Sequence, residues 1–238
     1  MKARICMISA IAVFVLFAGL YAVTCWFMLG LWAIAVWVAM IAAIPLSSLL
    51  HELGHMLFGA ISGIKTKPHF NLFGSSSCAL MPKKENKIKN RAIVTAFGGI
   101  AVNIIICAVC VGLISLGIAP VWLSFLVPAN MYLLILNAFP VHYSSGKTDM
   151  LVIDEIVKNS DEGKVLLAVL TVQAQLLNGK PMEEVDEKLL FDLPQIREDD
   201  QSFIALTELR YEYMKAKGNE EEAQKYRQRF EQLKEEYM

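Results

Sequence analysis

Two long stretches without charge constrain the fold of this chain more than any other feature. In residues 5–64 the only formally charged side chain is that of Glu52, and residues 92–146 contain none. A helix that crosses a bilayer needs about 20 consecutive apolar residues, so each stretch is long enough for two crossings. We expect a break between the crossings near Gly30 in the first stretch and around residues 117–120 in the second. With 55% hydrophobic residues the chain is too apolar for an ordinary soluble domain.

The charges divide the chain into a basic part and an acidic part. Up to Tyr143 there are nine lysines and arginines against two acids, a net charge of +7, and the remainder has thirteen against twenty-one, a net charge of −8. We interpret the first part as membrane-embedded and the second as a soluble tail. Nothing in this pattern indicates nucleic-acid binding, so the expected environment is the lipid bilayer.

The basic residues also predict a topology. Lys2 and Arg4 precede the first uncharged stretch, and seven lysines and arginines lie within residues 65–91. By the positive-inside rule, both termini and the 65–91 loop are cytoplasmic. The basic start and apolar run also resemble a signal peptide, but no small-residue cleavage site precedes a polar region, so we expect an uncleaved span. The chain is expected to be a multi-pass protein of the cell membrane.

These observations predict an all-α polytopic membrane protein with about four transmembrane helices in residues 1–147 and a cytoplasmic helical tail in residues 148–238. The tail has apolar residues at helical spacing. Near residues 201–236 it weakly resembles one tetratricopeptide hairpin, broken at Gly218. A single such unit cannot build a core alone, so we expect it to pack on helices from residues 161–190 or on a cytoplasmic partner.

The loop between the uncharged stretches has the pattern of a hairpin. Pro68 and Pro82 bracket "HFNLFGSSSCALM", in which a Gly-Ser turn separates two short apolar segments. The sequence therefore predicts a β-hairpin that lies on the membrane or dips into it.

The segment "HELGH" places three ionisable residues inside the first uncharged stretch. A charged side chain at mid-bilayer costs about 2.5–3.5 kcal/mol even on the lenient insertion scale, which favours a functional explanation. On a helix, His51 and His55 project from one face about 6 Å apart and can share a metal ion. Glu52 lies beside that position, where it can hold and deprotonate a metal-bound water.

A catalytic zinc usually takes three protein ligands, so a third must come from elsewhere. The segment of residues 136–150 follows the last uncharged stretch and offers His142 and Asp149, and Asp154 comes slightly later. We choose Asp149. The chain must then turn inward, with Thr148 as the N-cap of a helix that starts near Asp149. The plain interpretation of His142 is a solvated histidine at the membrane interface.

Three motifs together resemble the site-2 protease family of intramembrane zinc metalloproteases. They are "HELGH" at His51 to His55, "GGIAVN" ending at Asn103, and Asn137 followed by Pro140 ahead of an aspartate. The resemblance covers about residues 35–155. It implies a Zn²⁺ cofactor, a membrane protein or peptide as substrate, and hydrolysis of a peptide bond in or near the cytoplasmic half of a transmembrane segment.

The resemblance also implies a role for each site residue. His51, His55 and Asp149 bind zinc, Glu52 is the catalytic base, and the family-based interpretation of Asn103 and Asn137 makes them substrate-binding donors at the cleft. The alternative for both asparagines is packing between helices. The sequence departs from the family at two positions, because Ile100 replaces a common proline and Met150 replaces the glycine after the aspartate.

Two non-enzymatic alternatives remain at this stage: a metal-binding transporter or sensor, and a pseudoprotease scaffold. Transporters commonly repeat their fold in two halves, and this sequence has no such repeat. A glutamate beside the first histidine is needed by a hydrolase and not by a transporter. We therefore expect a zinc metalloendopeptidase.

Overall fold

The computed structural model describes residues 2–69, 77–120, 124–143 and 146–237, and most of them are helical. In chain order the helices are α1 (Lys2–Leu29), α2 (Ala33–Ser62), α3 (Ile88–Ser115), α4 (Leu126–Ala138), α5 (Asp149–Lys158), α6 (Asp161–Leu177), α7 (Lys188–Phe191), α8 (Gln201–Ala216) and α9 (Glu220–Tyr237), and the strands are β1 (Ile64–His69), β2 (Ser77–Pro82), β3 (His142–Tyr143) and β4 (Gly146–Lys147). Strand β1 pairs with β2, and β3 pairs with β4. A hairpin was predicted between Pro68 and Pro82, and the second paired strand lies within those bounds, whereas the first begins earlier, at Ile64. Residues 70–76, which include most of the first predicted apolar segment and of the Gly-Ser turn, lie outside the described residues.

Two segments are long and apolar enough to cross a membrane, Ala3–Ser62 and Ile88–Ser115. In the most apolar part of each segment, few residues are buried within the protein: 22% in the first segment and 28% in the second. Large apolar side chains therefore lie on the surface, including Phe27, Leu31 and Trp32. A helix that is hydrophobic all round needs apolar surroundings, and here protein atoms supply only part of them.

The first of these segments reverses direction near its middle. A short 3₁₀ turn at Gly30–Trp32 separates α1 from α2, and Gly30 has a φ of +56°, which glycine adopts without steric cost. Across the turn, the rings of Trp26 and Trp37 stack with centroids 5.9 Å apart. The indole Nε1 of Trp37 also donates a hydrogen bond to the carbonyl of Ala22 at 3.4 Å. The break predicted near Gly30 is confirmed.

The second uncharged stretch divides into a long helix and a short one. Helix α3 has 28 residues and α4 has 13. At 1.5 Å per residue α4 is about 20 Å long, less than the hydrocarbon core of about 30 Å. It packs along α1, where the rings of Phe14 and Tyr132 lie 5.8 Å apart. The break near residues 117–120 is confirmed, but α4 alone is shorter than the full fourth span predicted from the sequence.

Glycines allow α2 and α3 to touch through their backbones. A Cβ atom placed on Gly54 would lie 2.5 Å from the carbonyl oxygen of Gly98, and one placed on Gly98 would lie 2.5 Å from that of Gly54. Any larger residue at either position must push the helices apart. Small residues serve this purpose in membrane proteins, where helix association depends on close packing.

The chain forms two compact units, and the site described below lies in the first. The first unit consists of Met1–Ala60, Thr66–Ala79 and Val94–Leu151, and the second of Ile61–Lys65, Leu80–Ile93 and Val152–Met238. Within the second unit, α8 and α9 pack as a hairpin, and α8 packs on α6. The core of that unit is apolar and consists of Val165, Val169, Val172, Val185, Leu190, Ile196, Leu206, Leu209 and Tyr213.

The second unit confirms the predicted helical hairpin. Gly218 has a φ of +74° between α8 and α9, as expected for a residue that ends a helix in the left-handed conformation. The partners of the hairpin include residues 161–190, which supply five of these nine core side chains. The tail therefore buries an apolar core of its own.

The glycine crossing gives a direct test of helix packing. Gly98→Ala forces α3 away from α2 and should cost about 1–3 kcal/mol, as overpacking does. Gly112→Ala on the same helix is the control, because its Cβ would meet nothing within 4 Å and should stabilise the helix by up to about 1 kcal/mol. Thermal unfolding in detergent, followed by circular dichroism, should give a lower midpoint for the first variant only. Equal midpoints would contradict the packing described here.

Candidate metal centre

Helix α2 brings the three ionisable residues of "HELGH" together in a buried position. His51, Glu52 and His55 are 5%, 5% and 6% exposed. Their potential ligand atoms all lie within 4.8 Å of one another. The helix predicted from the sequence is confirmed here, and this group could hold a metal ion.

The two imidazoles face each other through the same nitrogen. The Nε2 atoms of His51 and His55 are 3.3 Å apart, and the ring planes are nearly perpendicular at 86°. The Nδ1 atom of His55 lies 2.9 Å from the carbonyl oxygen of Thr95. A carbonyl can only accept, so Nδ1 of His55 carries a proton, and Nε2 is the nitrogen left to bind a metal ion. This is the arrangement that a metal-binding histidine needs.

The carboxylate of Asp149 completes the cluster. Its Oδ2 lies 3.1 Å from Nε2 of His51, and its Oδ1 lies 3.3 Å from Nε2 of His55. A carboxylate is, like an imidazole, an ordinary zinc ligand.

Thr148 directs Asp149 into this position. The Oγ1 atom of Thr148 accepts a hydrogen bond from the amide of Leu151 at 3.2 Å, which is the N-cap of α5. The same hydroxyl donates to the carbonyl of Phe139 at 2.7 Å and accepts from the amide of Val141 at 3.2 Å. One side chain thus ties the end of α4 to the start of α5. The predicted N-cap and the helix start at Asp149 are both confirmed.

The donor atoms of the three side chains have the spacing of ligands that share a metal ion. Metal–ligand bonds of about 2.0–2.1 Å at tetrahedral angles place neighbouring donor atoms about 3.3–3.4 Å apart. The Nε2 atoms of His51 and His55 are 3.3 Å apart, and they lie 3.1 and 3.3 Å from the two different carboxylate oxygens of Asp149. At octahedral angles the same bonds would give separations of about 2.9 Å. The residues lie close enough together to share a single metal ion.

Helix α3 leaves room for the imidazoles at a glycine. A Cβ atom on Gly99 would lie 2.5 Å from Cε1 of His51 and 2.6 Å from Nε2 of both histidines. Thr95 and Asn103 are four residues before and after Gly99, so all three share one face of α3. The sequence analysis did not assign roles to Thr95 and Gly99. Their four-residue spacing, which mirrors that of His51 and His55, is the signal that could have found them.

The other candidate residues lie in different surroundings. Asn103 is fully buried, and neither polar atom of its amide has a hydrogen-bond partner among the described residues. Asn137 is half-buried and donates to the carbonyl of Leu133 in its own helix at 3.2 Å. Substrate binding by these two asparagines stays a prediction. His142 pairs with Lys147 in the sheet of β3 and β4.

Asp154, the last alternative for the third ligand, has a different partner. Its carboxylate forms an ion pair with Lys158 at 2.8 Å, one turn later in α5. The structure therefore brings Asp149, and not Asp154, to the two imidazoles.

A buried polar pair lies one turn before His51 and was also missed by the sequence analysis. The amide Nδ2 of Asn130 donates to Oγ of Ser47 at 2.9 Å and lies 2.9 Å from the carbonyl of Leu126. Both Ser47 and Asn130 are 0% exposed. Ser47 precedes His51 by four residues, so it lies on the face of α2 that carries the histidines.

Comparisons of the chain with family models, with curated proteins and with solved structures give no match. The functional argument therefore depends on the geometry of the site.

The assignment of Asp149 predicts a clear pattern of metal loss. Asp149→Ala should lower the metal content of the purified protein at least tenfold, because a three-ligand site loses most of its affinity with one ligand. His142→Ala and Asp154→Ala are the controls and should bind metal like the wild type. Elemental analysis after dialysis against a weak chelator measures this. Loss of metal in His142→Ala with retention in Asp149→Ala would transfer the role to His142.

Proposed function

We propose that this protein is a zinc-dependent intramembrane endopeptidase similar to the site-2 protease family. The observation that carries the proposal is the close approach of the imidazoles of His51 and His55 to each other and to the carboxylate of Asp149, beside the buried carboxylate of Glu52. Two imidazoles and one carboxylate, with one open position, are a ligand set that catalytic zinc sites use. The location of the cluster in an apolar helix supports a substrate that also lies in the membrane.

Each residue has a distinct part in the proposed hydrolysis. Zinc held by His51, His55 and Asp149 would polarise the peptide carbonyl and make water a stronger nucleophile. Glu52 accepts a proton from the attacking water as the water oxygen bonds to the carbonyl carbon. It then passes this proton to the amide nitrogen, and the carbon–nitrogen bond breaks. The products are a new carboxylate and a new amine.

The proposed membrane arrangement has four crossings with both termini in the cytoplasm. Helices α1, α2 and α3 are each long enough to span the hydrocarbon core of a bilayer. Helix α4 is short, and we propose that its packing along α1 and local thinning of the bilayer compensate. His55 is ten residues before Lys65 at the cytoplasmic boundary. With a helix rise of about 1.5 Å per residue, the site lies about 10–15 Å below the cytoplasmic surface of the membrane.

The hairpin of β1 and β2 offers the substrate an edge. A helical peptide hides its carbonyls in its own hydrogen bonds, and breaking those bonds in lipid is costly. An unwound segment can recover them by pairing with an exposed strand. We propose that the substrate is a transmembrane segment that unwinds near its cytoplasmic end and adds to this hairpin.

Replacing the base separates catalysis from metal binding. Glu52→Gln should retain zinc and lower the cleavage rate about 10²–10⁴-fold, because the amide cannot accept the proton. Glu183→Gln, at an exposed carboxylate in the tail, is the matched control and should cleave like the wild type. The assay co-expresses single-span candidate substrates and compares product size and zinc content. Full cleavage by Glu52→Gln would refute the mechanism, and metal binding without cleavage by any form would favour a sensor, a transporter or a pseudoprotease.

The unwinding of the substrate predicts a sequence preference at the cut. Glycine, proline or asparagine near the scissile bond should speed cleavage, and their replacement by leucine should slow it, because these residues destabilise a helix. The cut should fall in the cytoplasmic half of the substrate span. Mass spectrometry of the products locates it. Cleavage on the external side, or indifference to helix breakers, would contradict the proposed cleft.

A further inference from the structure

Seven buried polar atoms in the first unit have no hydrogen-bond partner among the described residues, and four of these belong to His51, Asn103 and Asn130. These four atoms are Nδ1 of His51, both Oδ1 and Nδ2 of Asn103, and Oδ1 of Asn130. All three side chains are at least 94% buried. A buried polar atom that makes no hydrogen bond costs about 1–3 kcal/mol, and such groups in native proteins usually have a protein or water partner.

The geometry of the two helices places these atoms in one layer. His55 meets Thr95, and His51 meets Gly99, so the facing stripes of α2 and α3 run in opposite directions. One further turn along each helix, about 6 Å, reaches Ser47 on α2 and Asn103 on α3.

Helix α4 adds the last member. Asn130 reaches Ser47 through its hydrogen bond of 2.9 Å. We call Ser47, Asn103, Asn130 and Nδ1 of His51 the polar layer.

Several hydrogen-bond donors and acceptors of the polar layer have no partner among the described residues. Asn130 directs its amide protons to Ser47 and towards Leu126, which leaves Oδ1 as an acceptor. When Nε2 of His51 binds a metal ion, its Nδ1 carries the proton and needs an acceptor. Asn103 has two amide protons and an acceptor oxygen to satisfy. Water both accepts and donates, and it matches this mixture.

We propose that the polar layer binds about one or two water molecules, which accept the proton of His51 Nδ1 and donate to Oδ1 of Asn130 and Asn103. These waters accept the Nδ1 proton of His51, as the carbonyl of Thr95 accepts that of His55. They hold the tautomer whose Nε2 lone pair points to the metal position. Asn130 is then a positioning residue for a metal ligand, and its role goes beyond packing. The inference depends on the metal-binding part of the proposed function and not on proteolysis.

Nitrogen NMR of the zinc-loaded wild type tests this without any substitution. The chain has only four histidines, so ¹⁵N-histidine labelling gives few signals. His51 should have a protonated Nδ1 with a magnetisation-transfer peak to water. His55 is the internal control, because its Nδ1 proton binds Thr95 directly, and it should show no such peak. A His51 signal without contact to water overturns the proposal.

Three variants separate water binding from packing. Asn130→Leu and Asn103→Leu remove the partners of the water and should weaken zinc affinity about tenfold, as lost hydrogen-bond partners of metal ligands do. Gly112→Ala on α3 is the control, because its Cβ would meet nothing within 4 Å, so zinc affinity should change less than threefold. Competition with a chromogenic chelator measures the affinity. If both asparagine variants keep wild-type affinity, the polar layer is packing only and the proposal is wrong. Because no cleavage is measured, this outcome is distinct from failure of the proposed enzyme activity.

Discussion

The contact between the backbones of α2 and α3 is the constraint on which the site depends. Helices normally pack with axes about 8–10 Å apart because side chains separate them. At Gly54 and Gly98 there is no side chain to do so, and a Cβ on either residue would overlap the other backbone. The close approach lets the carbonyl of Thr95 reach His55 within 2.9 Å. In lipid, where apolar burial does not drive helices together, such packing is the main source of association.

The third donor reaches the site by a different route, which depends on one hydroxyl group. Thr148 caps α5 and at the same time bonds to the main chain at Phe139 and Val141. The turn after α4 is therefore fixed, and Asp149 begins a helix next to the imidazoles. A carboxylate in the first turn of a helix also interacts favourably with the helix dipole. The two histidines and the aspartate thus come from segments that are each held by their own local interactions.

The parts of the site that the sequence predicted are those governed by local rules. The shared face of His51 and His55 follows from helical periodicity, and the helix start at Asp149 follows from the capping preference of Thr148. The acceptor for His55 was not predictable, because it is a main-chain carbonyl and any residue supplies one. The bond between Ser47 and Asn130 joins residues 83 positions apart. Only the tertiary packing of α2 and α4 determines that pair.

The same distinction explains why the length of the fourth apolar helix was not predictable. An uncharged stretch shows which residues tolerate lipid but not where a helix begins. Helix α4 starts at Leu126, and Pro128 lies in its first turn, where a missing amide proton costs no hydrogen bond. The apolar composition before it gave no sign of this start, whereas the glycine at position 30 marked the other break correctly.

Charge balance would link a bound divalent metal ion to the proposed membrane location. The first uncharged stretch contains one acid, Glu52, and the turn into α5 contributes one more to the site, Asp149. Two carboxylates and two neutral imidazoles balance one divalent cation, so the loaded cluster would carry no net charge. A neutral cluster avoids the large cost of an isolated ion in a medium of low polarity. A third carboxylate would restore that cost, and the ion pair of Asp154 with Lys158 leaves the cluster with only these two. The small number of acidic residues in this part of the sequence fits the proposed metal site. Each further carboxylate would add an uncompensated negative charge in lipid.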